Sequence, residues 1–372
     1  MSRILITGGA GFIGSHLADE LVDLGHAVTV FDNLDEQVHL HGRAPKYLNK
    51  NVHFVKGDVR DYESLKKIVT GDIEAVFHQA ACVGVGQSQY QIKKYVDVNI
   101  GGTSNLLDIL ANLNHKVEKL IVAASMSGYG EGLYKCNKCG ITKGQLRDEK
   151  SLEQGDWSHY CINCLQLLVP VPTSEDTSLV CNSVYAITKK VQEEMVLNFG
   201  KTYHFPVAAL RYFNVYGPRQ SLSNPYTGVA AIFMSRIKNN NPPVIYEDGL
   251  QTRDFVSVRD IVQANILAFE KNTANYEVFN VGAEKPLTIL SIAEKLISLM
   301  KSDTKPYVTN QFRKGDVRHC FADISKIKTK LGYKPSISFE NGMKELVEYS
   351  ESENAIDNFE KATTELRERA LI

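Results

Sequence analysis

Tyr185 and Lys189 lie four residues apart in the segment SVYAITKK, a spacing typical of a proton-transfer site. On a helix, the two side chains project from the same face. A free tyrosine has a pKa of about 10, and a nearby ammonium group favours its phenolate form. The pair therefore predicts a general base that works near neutral pH. The alternative is a solvated pair on a helix surface.

Ser125 ends the apolar run KLIVAAS, which predicts a strand. The carboxyl ends of strands in a doubly wound sheet face the ligand crevice. A hydroxyl group there can hydrogen-bond a substrate oxygen or the tyrosine. We therefore predict that Ser125, Tyr185 and Lys189 form one catalytic set, with an ordinary turn serine as the alternative for Ser125.

A glycine-rich segment near the N-terminus predicts a dinucleotide site. Gly8, Gly11 and Gly14 follow the run RILIT and precede a helical pattern. Glycine lets the backbone approach a pyrophosphate, and the helix N-terminus supplies free N–H groups. Asp32 lies 18 residues beyond Gly14, where a carboxylate binds the ribose hydroxyls of adenosine. A carboxylate there repels a 2′-phosphate, which favours NAD over NADP. Taken alone, Asp32 could equally be a solvated loop acid.

Apolar runs that alternate with helical patterns indicate how these residues are positioned. Such runs predict a parallel sheet that is covered on both faces, as in a doubly wound α/β (Rossmann) fold. The predicted strands are 3–7, 27–31, 52–57, 74–79, 119–124 and 206–212. We assign residues 1–215 to an NAD-binding domain and 216–350 mainly to a smaller substrate domain, some of whose segments return to the first. Residues 351–372 form a charged tail with no predicted function.

The composition restricts the partners of the chain. Its 372 residues carry a formal net charge of −1, so there is no general electrostatic footprint for nucleic acid or an anionic membrane. The start, MSRILITGG, lacks the apolar region of a signal peptide, and no run of about 18 apolar residues predicts a membrane helix. We expect a cytoplasmic enzyme that binds neither nucleic acid nor membrane.

Four of the seven cysteines form two close pairs within an irregular stretch, residues 131–170. The paired residues are Cys136, Cys139, Cys161 and Cys164. Repeated pairs of this spacing are typical of a closed four-thiolate zinc site, and zinc supplies folding energy that a small polar segment lacks. We predict a structural zinc in a zinc-ribbon-like insert that covers the substrate or tunes access to the active site. The alternatives are two disulfides, or His159 in place of one cysteine.

Several motifs together resemble the extended short-chain dehydrogenases/reductases of the nucleotide-sugar epimerase and dehydratase group. They are TGGAGFIG, GDVRD, FHQAA, NIGGTSNLL, YAITK, RYFNVYGPRQ, RDFVSVRD and RKGDVR, and they cover roughly residues 1–350 apart from the insert. The resemblance implies that Lys189 also binds the nicotinamide ribose. The other cofactor contacts that it implies are Phe12, Ile13, Asn33, Asp58, Val59, Gln79, Ala80, Ala81 and Asn99. The substrate contacts that it implies are Ser127, Asn214, Thr227, Arg253, Arg313, Asp316 and Arg318.

Surface salt bridges are the alternative for the charged members of this substrate set, and for Arg318 the two interpretations weigh equally. The resemblance also implies a homodimer through the helical patterns at 99–112 and 186–199. Met126 and Ser127 stand where dehydratases of the group carry an acidic pair, which disfavours 4,6-dehydration.

The insert, together with SLSNPYTG at 221–228, is similar to the dTDP-L-rhamnose 4-epimerase branch of the group. We therefore expect an NAD-dependent 4-epimerase that acts through a transient 4-keto sugar, on a dTDP-deoxysugar such as dTDP-L-rhamnose. A 4-reductase or dehydrogenase, a UDP-sugar epimerase or decarboxylase, and a non-catalytic NAD-binding redox sensor stay open as alternatives.

Overall fold

The computed structural model describes residues 1–372, apart from the side chain of Leu40. Its strands are β1 (Arg3–Thr7), β2 (Ala27–Asp32), β3 (His53–Lys56), β4 (Ala75–His78), β5 (Lys119–Ser125), β6 (Leu133–Cys136), β7 (Gly140–Lys143), β8 (Val169–Val171), β9 (Val207–Tyr212), β10 (Asn214–Tyr216), β11 (Val244–Ile245), β12 (Thr252–Ser257), β13 (Glu277–Val281), β14 (Pro286–Thr288), β15 (Tyr307–Val308) and β16 (His319–Cys320). Its α-helices are α1 (Phe12–Asp23), α2 (Tyr62–Val69), α3 (Val85–Ser88), α4 (Ile92–Tyr95), α5 (Gly102–Asn112), α6 (Glu149–Glu153), α7 (Val184–Tyr203), α8 (Val229–Lys238), α9 (Val258–Glu270), α10 (Ile289–Leu299), α11 (Ser325–Leu331), α12 (Phe339–Glu351) and α13 (Phe359–Arg367).

Seven parallel strands form the central sheet, in the order β13-β9-β5-β4-β1-β2-β3. The sheet takes part in two separate apolar cores. One also contains α1, α9 and α11, and the other contains α2, α5 and α7. Adjacent β1 residues Ile4, Leu5 and Ile6 are all fully buried, since successive side chains point to opposite faces and both faces are covered. The predicted doubly wound α/β fold is confirmed, and each of the six predicted strands is present.

Residues beyond β9 divide between this sheet and a second region. Strand β13 and helix α9 return to the central sheet and its core. Strands β10, β12, β14 and β16 form a small mixed sheet, and β11 pairs with β15. Helices α8, α10 and α12 pack around a third apolar core beside these strands. This second region therefore has a core of its own and faces the carboxyl ends of the central strands across a cavity.

The insert folds as a three-stranded antiparallel sheet in the order β7-β6-β8. Its buried cluster is small and consists of Tyr134, Cys136, Cys161 and Leu168. So little apolar burial is a weak source of stability, which is the situation in which a metal or a covalent link is needed. Among the described residues, no helix has the length and apolarity that crossing a membrane requires.

Candidate active site

A cavity of about 690 Å³ runs along the carboxyl ends of the central strands. Its lining includes Gly8 after β1, Asp32 at the end of β2, Gln79 after β4 and Ser125 at the end of β5. The edge at which the parallel strands end is where doubly wound sheets bind ligands. One cavity therefore contains both the predicted dinucleotide site and the predicted catalytic serine.

The glycines at one end of the cavity leave no room for side chains. Gly8 has φ +69°, and a Cβ on it would lie 2.7 Å from the Cα and N of Ala80. A Cβ on Gly14 would lie 2.4 Å from the carbonyl oxygen of Gly8. Because backbone packs directly on backbone here, the N-terminus of α1 stays open to a phosphate group. This cradle fits the pyrophosphate of a dinucleotide.

Carboxylates lie where the adenosine half of a dinucleotide would be bound. Asp32 is only 8% exposed, and its two oxygens accept hydrogen bonds from the backbone N–H groups of Ala10 (3.0 Å) and Leu34 (2.8 Å). Asp58 accepts hydrogen bonds from Arg60 (2.7 and 2.9 Å) and from Asn33 (2.9 Å). Burial raises the pKa of Asp58, but these hydrogen bonds outweigh it and bring the pKa to about 2. Both groups are thus fixed hydrogen-bond acceptors at the cavity wall.

Replacing Gly14 with alanine is expected to reduce the NAD held per chain at least tenfold, because the added Cβ forces the cradle apart. Bound NAD is measured after saturation and desalting. Gly25→Ala is the matched control: Gly25 has φ +82°, but a Cβ added to it would meet nothing within 4 Å, so this variant should lose some stability and keep its NAD. Full retention of NAD by Gly14→Ala would show that the cradle does not hold the cofactor.

Ser125, Tyr185 and Lys189 all line the cavity, and Ser125 hydrogen-bonds the phenol of Tyr185. Helix α7 carries the last two, and the Ser183 hydroxyl caps that helix by accepting from the N–H of Ala186. The Ser125 oxygen accepts hydrogen bonds from the Ser127 hydroxyl (2.9 Å) and N–H (3.2 Å). Because the Ser125 oxygen already accepts these two hydrogen bonds, its hydroxyl group can act as a hydrogen-bond donor to a third partner.

Lys189 is 4% exposed, and its amine donates to the carbonyl oxygen of Ala123 and to Oε1 of Gln192, both at 2.8 Å. Burial lowers its pKa to about 7. Gln192 was not predicted to take part. Its position three residues after Lys189, on the same face of α7, is the signal that could have found it.

The pKa of Tyr185 differs from the sequence-based expectation. We expected Lys189 to lower it, but burial of the phenol raises it, and the hydrogen bond from Ser125 is what opposes the rise. The reason is that the Lys189 amine is directed at Ala123 and Gln192. Ser125 is therefore the group that stabilises a phenolate here.

Two arginines from the second region also line the cavity. Arg313 donates to the carboxylate of Asp316 at 3.0 Å, and a nitrogen of Arg253 lies 3.6 Å from the same carboxylate. Burial raises the pKa of Asp316, and the charges of the two arginines lower it further than that, below its usual range. One carboxylate thus holds two cations close together, an arrangement suited to a diphosphate.

Nearly all of the predicted site residues line this one cavity. The cofactor set there is Gly8, Gly11, Phe12, Ile13, Gly14, Asp32, Asn33, Asp58, Val59, Gln79, Ala80 and Ala81. The substrate set there is Ser127, Asn214, Thr227, Arg253, Arg313 and Asp316.

Asn99 and Arg318 are not among the cavity-lining residues. Asn99 is fully buried and hydrogen-bonds the backbone of Cys82 and the hydroxyl of Thr188, so it supports the cavity wall from behind. Arg318 donates to Glu247 (2.8 Å) and Asp248 (2.6 and 2.8 Å). These contacts favour the ion-pair interpretation of Arg318, and its role at the substrate stays a prediction.

The sulfur atoms of the four paired cysteines all lie within 4.8 Å of one another. Sulfurs bound tetrahedrally at about 2.3 Å from a zinc ion would be about 3.8 Å apart. Cys136 and Cys164 are 3.4 Å apart at Sγ, well beyond the ~2.05 Å of a disulfide. His159 lies instead 3.3 Å from Glu131 and packs on the ring of Tyr134. The donor set fits a four-thiolate metal site better than two disulfides or a histidine ligand.

Known proteins match most of the chain. The model of the NAD dependent epimerase/dehydratase family matches residues 4–148, and that of the GDP-mannose 4,6 dehydratase family matches residues 167–346. The dTDP-L-rhamnose 4-epimerase of Burkholderia thailandensis is 33% identical over 346 residues, which are 92% of this chain and 93% of that protein. The chain belongs to the NAD-dependent epimerase/dehydratase family.

Solved structures of the family have the same architecture. The UDP-glucose 4-epimerase of Thermotoga maritima with UDP-glucose has a TM-score of 0.78 and 32% identity, over 94% of this chain and 98% of that one. The UDP-glucuronic acid 4-epimerase of Bacillus cereus, in complex with UDP-glucuronic acid and NAD, has a TM-score of 0.76 and 28% identity, over 94% and 99%. The prediction of an NAD-dependent nucleotide-sugar epimerase is confirmed at the level of family and enzyme class.

Proposed function

We propose that this family member interconverts the C4 epimers of a nucleotide sugar, with NAD that stays bound through the cycle and dTDP-L-rhamnose as the first candidate substrate. The observation that carries the proposal is that three sets of groups line one cavity. They are the glycine cradle with Asp32, the set Ser125, Tyr185 and Lys189, and the pair Arg253 and Arg313.

The side chains of the second set can move one proton. NAD, when bound, supplies the chemistry of accepting a hydride from the sugar and returning it. The Tyr185 oxygen takes the proton of the C4 hydroxyl and later gives it back. Ser127 donates to Ser125, and Ser125 in turn donates to the phenolic oxygen or to the sugar oxygen. This chain of hydroxyl groups favours the phenolate at the moment when the proton moves.

Inversion requires that the sugar be free to turn over while the nucleotide stays in place. Arg253 and Arg313 provide the firm grip, because their planar forks pair with phosphate oxygens. We propose that the cradle residues, Asp32 and Asp58 hold NAD. The absence of an acid pair at Met126 and Ser127 supports epimerisation over dehydration.

A panel of sugar nucleotides, incubated without added cofactor and followed by NMR, tests this proposal. An epimerase inverts C4 of at least one of dTDP-L-rhamnose, UDP-glucose and UDP-glucuronate under these conditions. A reductase would need stoichiometric reduced cofactor, and a decarboxylase would release carbon dioxide from the uronate. No turnover with any activated sugar would leave the redox sensor as the better account. A homodimer through residues 99–112 and 186–199 stays a prediction.

We propose a structural zinc in the insert, held by the four paired cysteines, and a role for the insert in positioning the substrate end of the cavity. Arg147 of the insert donates to both carboxylate oxygens of Glu247 (2.9 and 2.7 Å) and to the carbonyl oxygen of Asp316 (3.3 Å). The Glu131 carboxylate accepts from the backbone N–H of Arg318 at 2.6 Å. These bonds join the insert to the loop that carries Arg313 and Asp316.

The Arg147→Met variant is expected to raise KM for the nucleotide sugar about fivefold and to change kcat less than twofold. The loop would lose an anchor, while Glu247 keeps its ion pair with Arg318. Steady-state kinetics and a thermal melt measure the effect. Lys150→Met, an exposed site in the same insert, is the control. An unchanged KM would show that this contact of the insert does not affect substrate binding.

A further inference from the structure

The C-terminal tail, for which the sequence suggested no function, lies against the cavity. Helix α13 begins at Phe359, and the chain ends at Ile372. The tail residues that line the cavity are Phe359, Ala362, Thr363, Leu366, Leu371 and Ile372. Five of these six side chains are apolar. The tail therefore presents the cavity with apolar surface and no cation.

Ion pairs to one buried arginine fix the start of the tail to the second region. Arg236 of α8 is 5% exposed and lies 3.3 Å from Asp357 and 3.1 Å from Glu360. Its guanidinium group also lies over the ring of Phe359, 4.5 Å from the centroid. The first turn of α13 is thus held by a cation that is otherwise removed from water.

Glu365 then fixes α13 to two tyrosines, one from each side of the cavity, whose hydroxyls also hydrogen-bond each other at 2.6 Å. Its carboxylate accepts hydrogen bonds from the hydroxyls of Tyr90 (2.6 Å) and Tyr226 (2.7 Å). Tyr90 lies between α3 and α4 on the NAD-binding side, and Tyr226 precedes α8 on the substrate side. The guanidinium group of Arg369 covers the Tyr90 ring at 4.4 Å. One carboxylate therefore sets where α13 crosses the cavity.

The end of the tail reaches the loop that carries the two substrate-end charges. The backbone N–H of Lys314 donates to the carbonyl oxygen of Leu371 at 3.3 Å. On the opposite side, Leu366 packs so close to Gly86 that a Cβ on this glycine would lie 3.4 Å from the leucine side chain. These contacts hold the tail between Gly86 and the loop that carries Arg313 and Asp316, and all of these residues line the cavity.

We propose that Asp357–Ile372 is a specificity-determining wall that favours uncharged sugars over uronic acids, with Glu365 as its positioning residue. The inference rests on the proposed function, which places the nucleotide sugar in this half of the cavity. An apolar wall desolvates a sugar carboxylate without offering a partner for its charge, while it packs well against a neutral or deoxygenated sugar. Two sugar nucleotides that differ in this one carboxylate should therefore bind with different affinities, and the difference measures the selectivity of the wall.

Calorimetric binding of UDP-glucose and UDP-glucuronate to the NAD-loaded enzyme provides that pair, since the two share a nucleotide. The full chain is expected to bind UDP-glucose at least tenfold more tightly, which is about 1.4 kcal/mol. A chain that ends at Glu360 keeps the partners of Arg236 and should reduce the preference to threefold or less, with its NAD content unchanged. A folded, NAD-loaded truncation that keeps the full preference would overturn the proposal, as would equal binding by the full chain.

Glu365→Ala decides the question if the truncated chain loses its fold or its NAD. It removes the acceptor that joins Tyr90 and Tyr226, and it is expected to lower the preference about threefold at an unchanged melting temperature. Glu368→Ala, an exposed site one turn on, should leave it unchanged. An unaltered preference in Glu365→Ala overturns the proposal. Because binding is measured without turnover, failure of the epimerase assay would leave this comparison intact.

Discussion

The Tyr185→Phe enzyme is expected to lose turnover by about a thousandfold while it keeps its fold and its NAD. The substitution removes one oxygen atom and preserves the ring that packs edge-on against Tyr95. Without that oxygen, no group is left within the catalytic set to take the proton of the sugar hydroxyl, and general-base catalysis of this kind is worth about 10²–10⁴ in rate. Single-turnover kinetics on the NAD-loaded enzyme measure the loss.

Tyr203→Phe is the matched control for this substitution. Tyr203 is the last residue of the same helix and is 56% exposed, so the loss of its hydroxyl should leave turnover unchanged. If Tyr185→Phe kept its activity within tenfold of the parent, proton transfer would have to be assigned to another group.

Loss of the metal has the second large expected effect. Cys161→Ser should release zinc, expose the insert to limited proteolysis and lower the melting temperature by several degrees. Cys136 and Cys161 make up half of the insert's small buried cluster, and structural zinc contributes about 10–16 kcal/mol of binding energy to folding in small zinc domains. We expect one zinc per native chain and less than a tenth in the variant, by elemental analysis.

Cys181→Ser provides the comparison, since Cys181 lies outside the four-sulfur cluster. This variant should keep its zinc and its resistance to protease in the insert. A native chain free of zinc after purification in zinc-containing medium, or a Cys161→Ser chain that retains one zinc, would refute the metal assignment.

The parts of the fold that depend on local pattern could be predicted from the sequence. Runs such as RILIT and KLIVAAS are apolar without alternation because both faces of a parallel sheet are covered, and β1 and β5 occur at those positions. The cradle was predictable for a similar reason, because glycine at positions 8 and 14 indicates backbone contacts that leave no room for a Cβ atom. The strand-end rule then placed Ser125 at the cavity.

Features that depend on distant partners could not be predicted. Lys189 was expected to act on Tyr185, but its amine donates a hydrogen bond to the carbonyl oxygen of Ala123, 66 residues away in sequence. Arg318 is held by Glu247 and Asp248, which lie about 70 residues away, and the sequence around Arg318 does not predict this pairing. The same holds for the tail. Its charged, polar sequence does not predict that Glu365 hydrogen-bonds two tyrosines from opposite sides of a cavity.

The central claim is that C4 is oxidised and reduced by the same bound NAD, with Tyr185 moving the proton. It is tested most directly with a substrate that carries deuterium at C4, incubated with the enzyme as purified and without added cofactor. The account predicts an inverted sugar that retains the deuterium at C4. Loss of the deuterium to water, or inversion only when stoichiometric reduced cofactor is added, would contradict it.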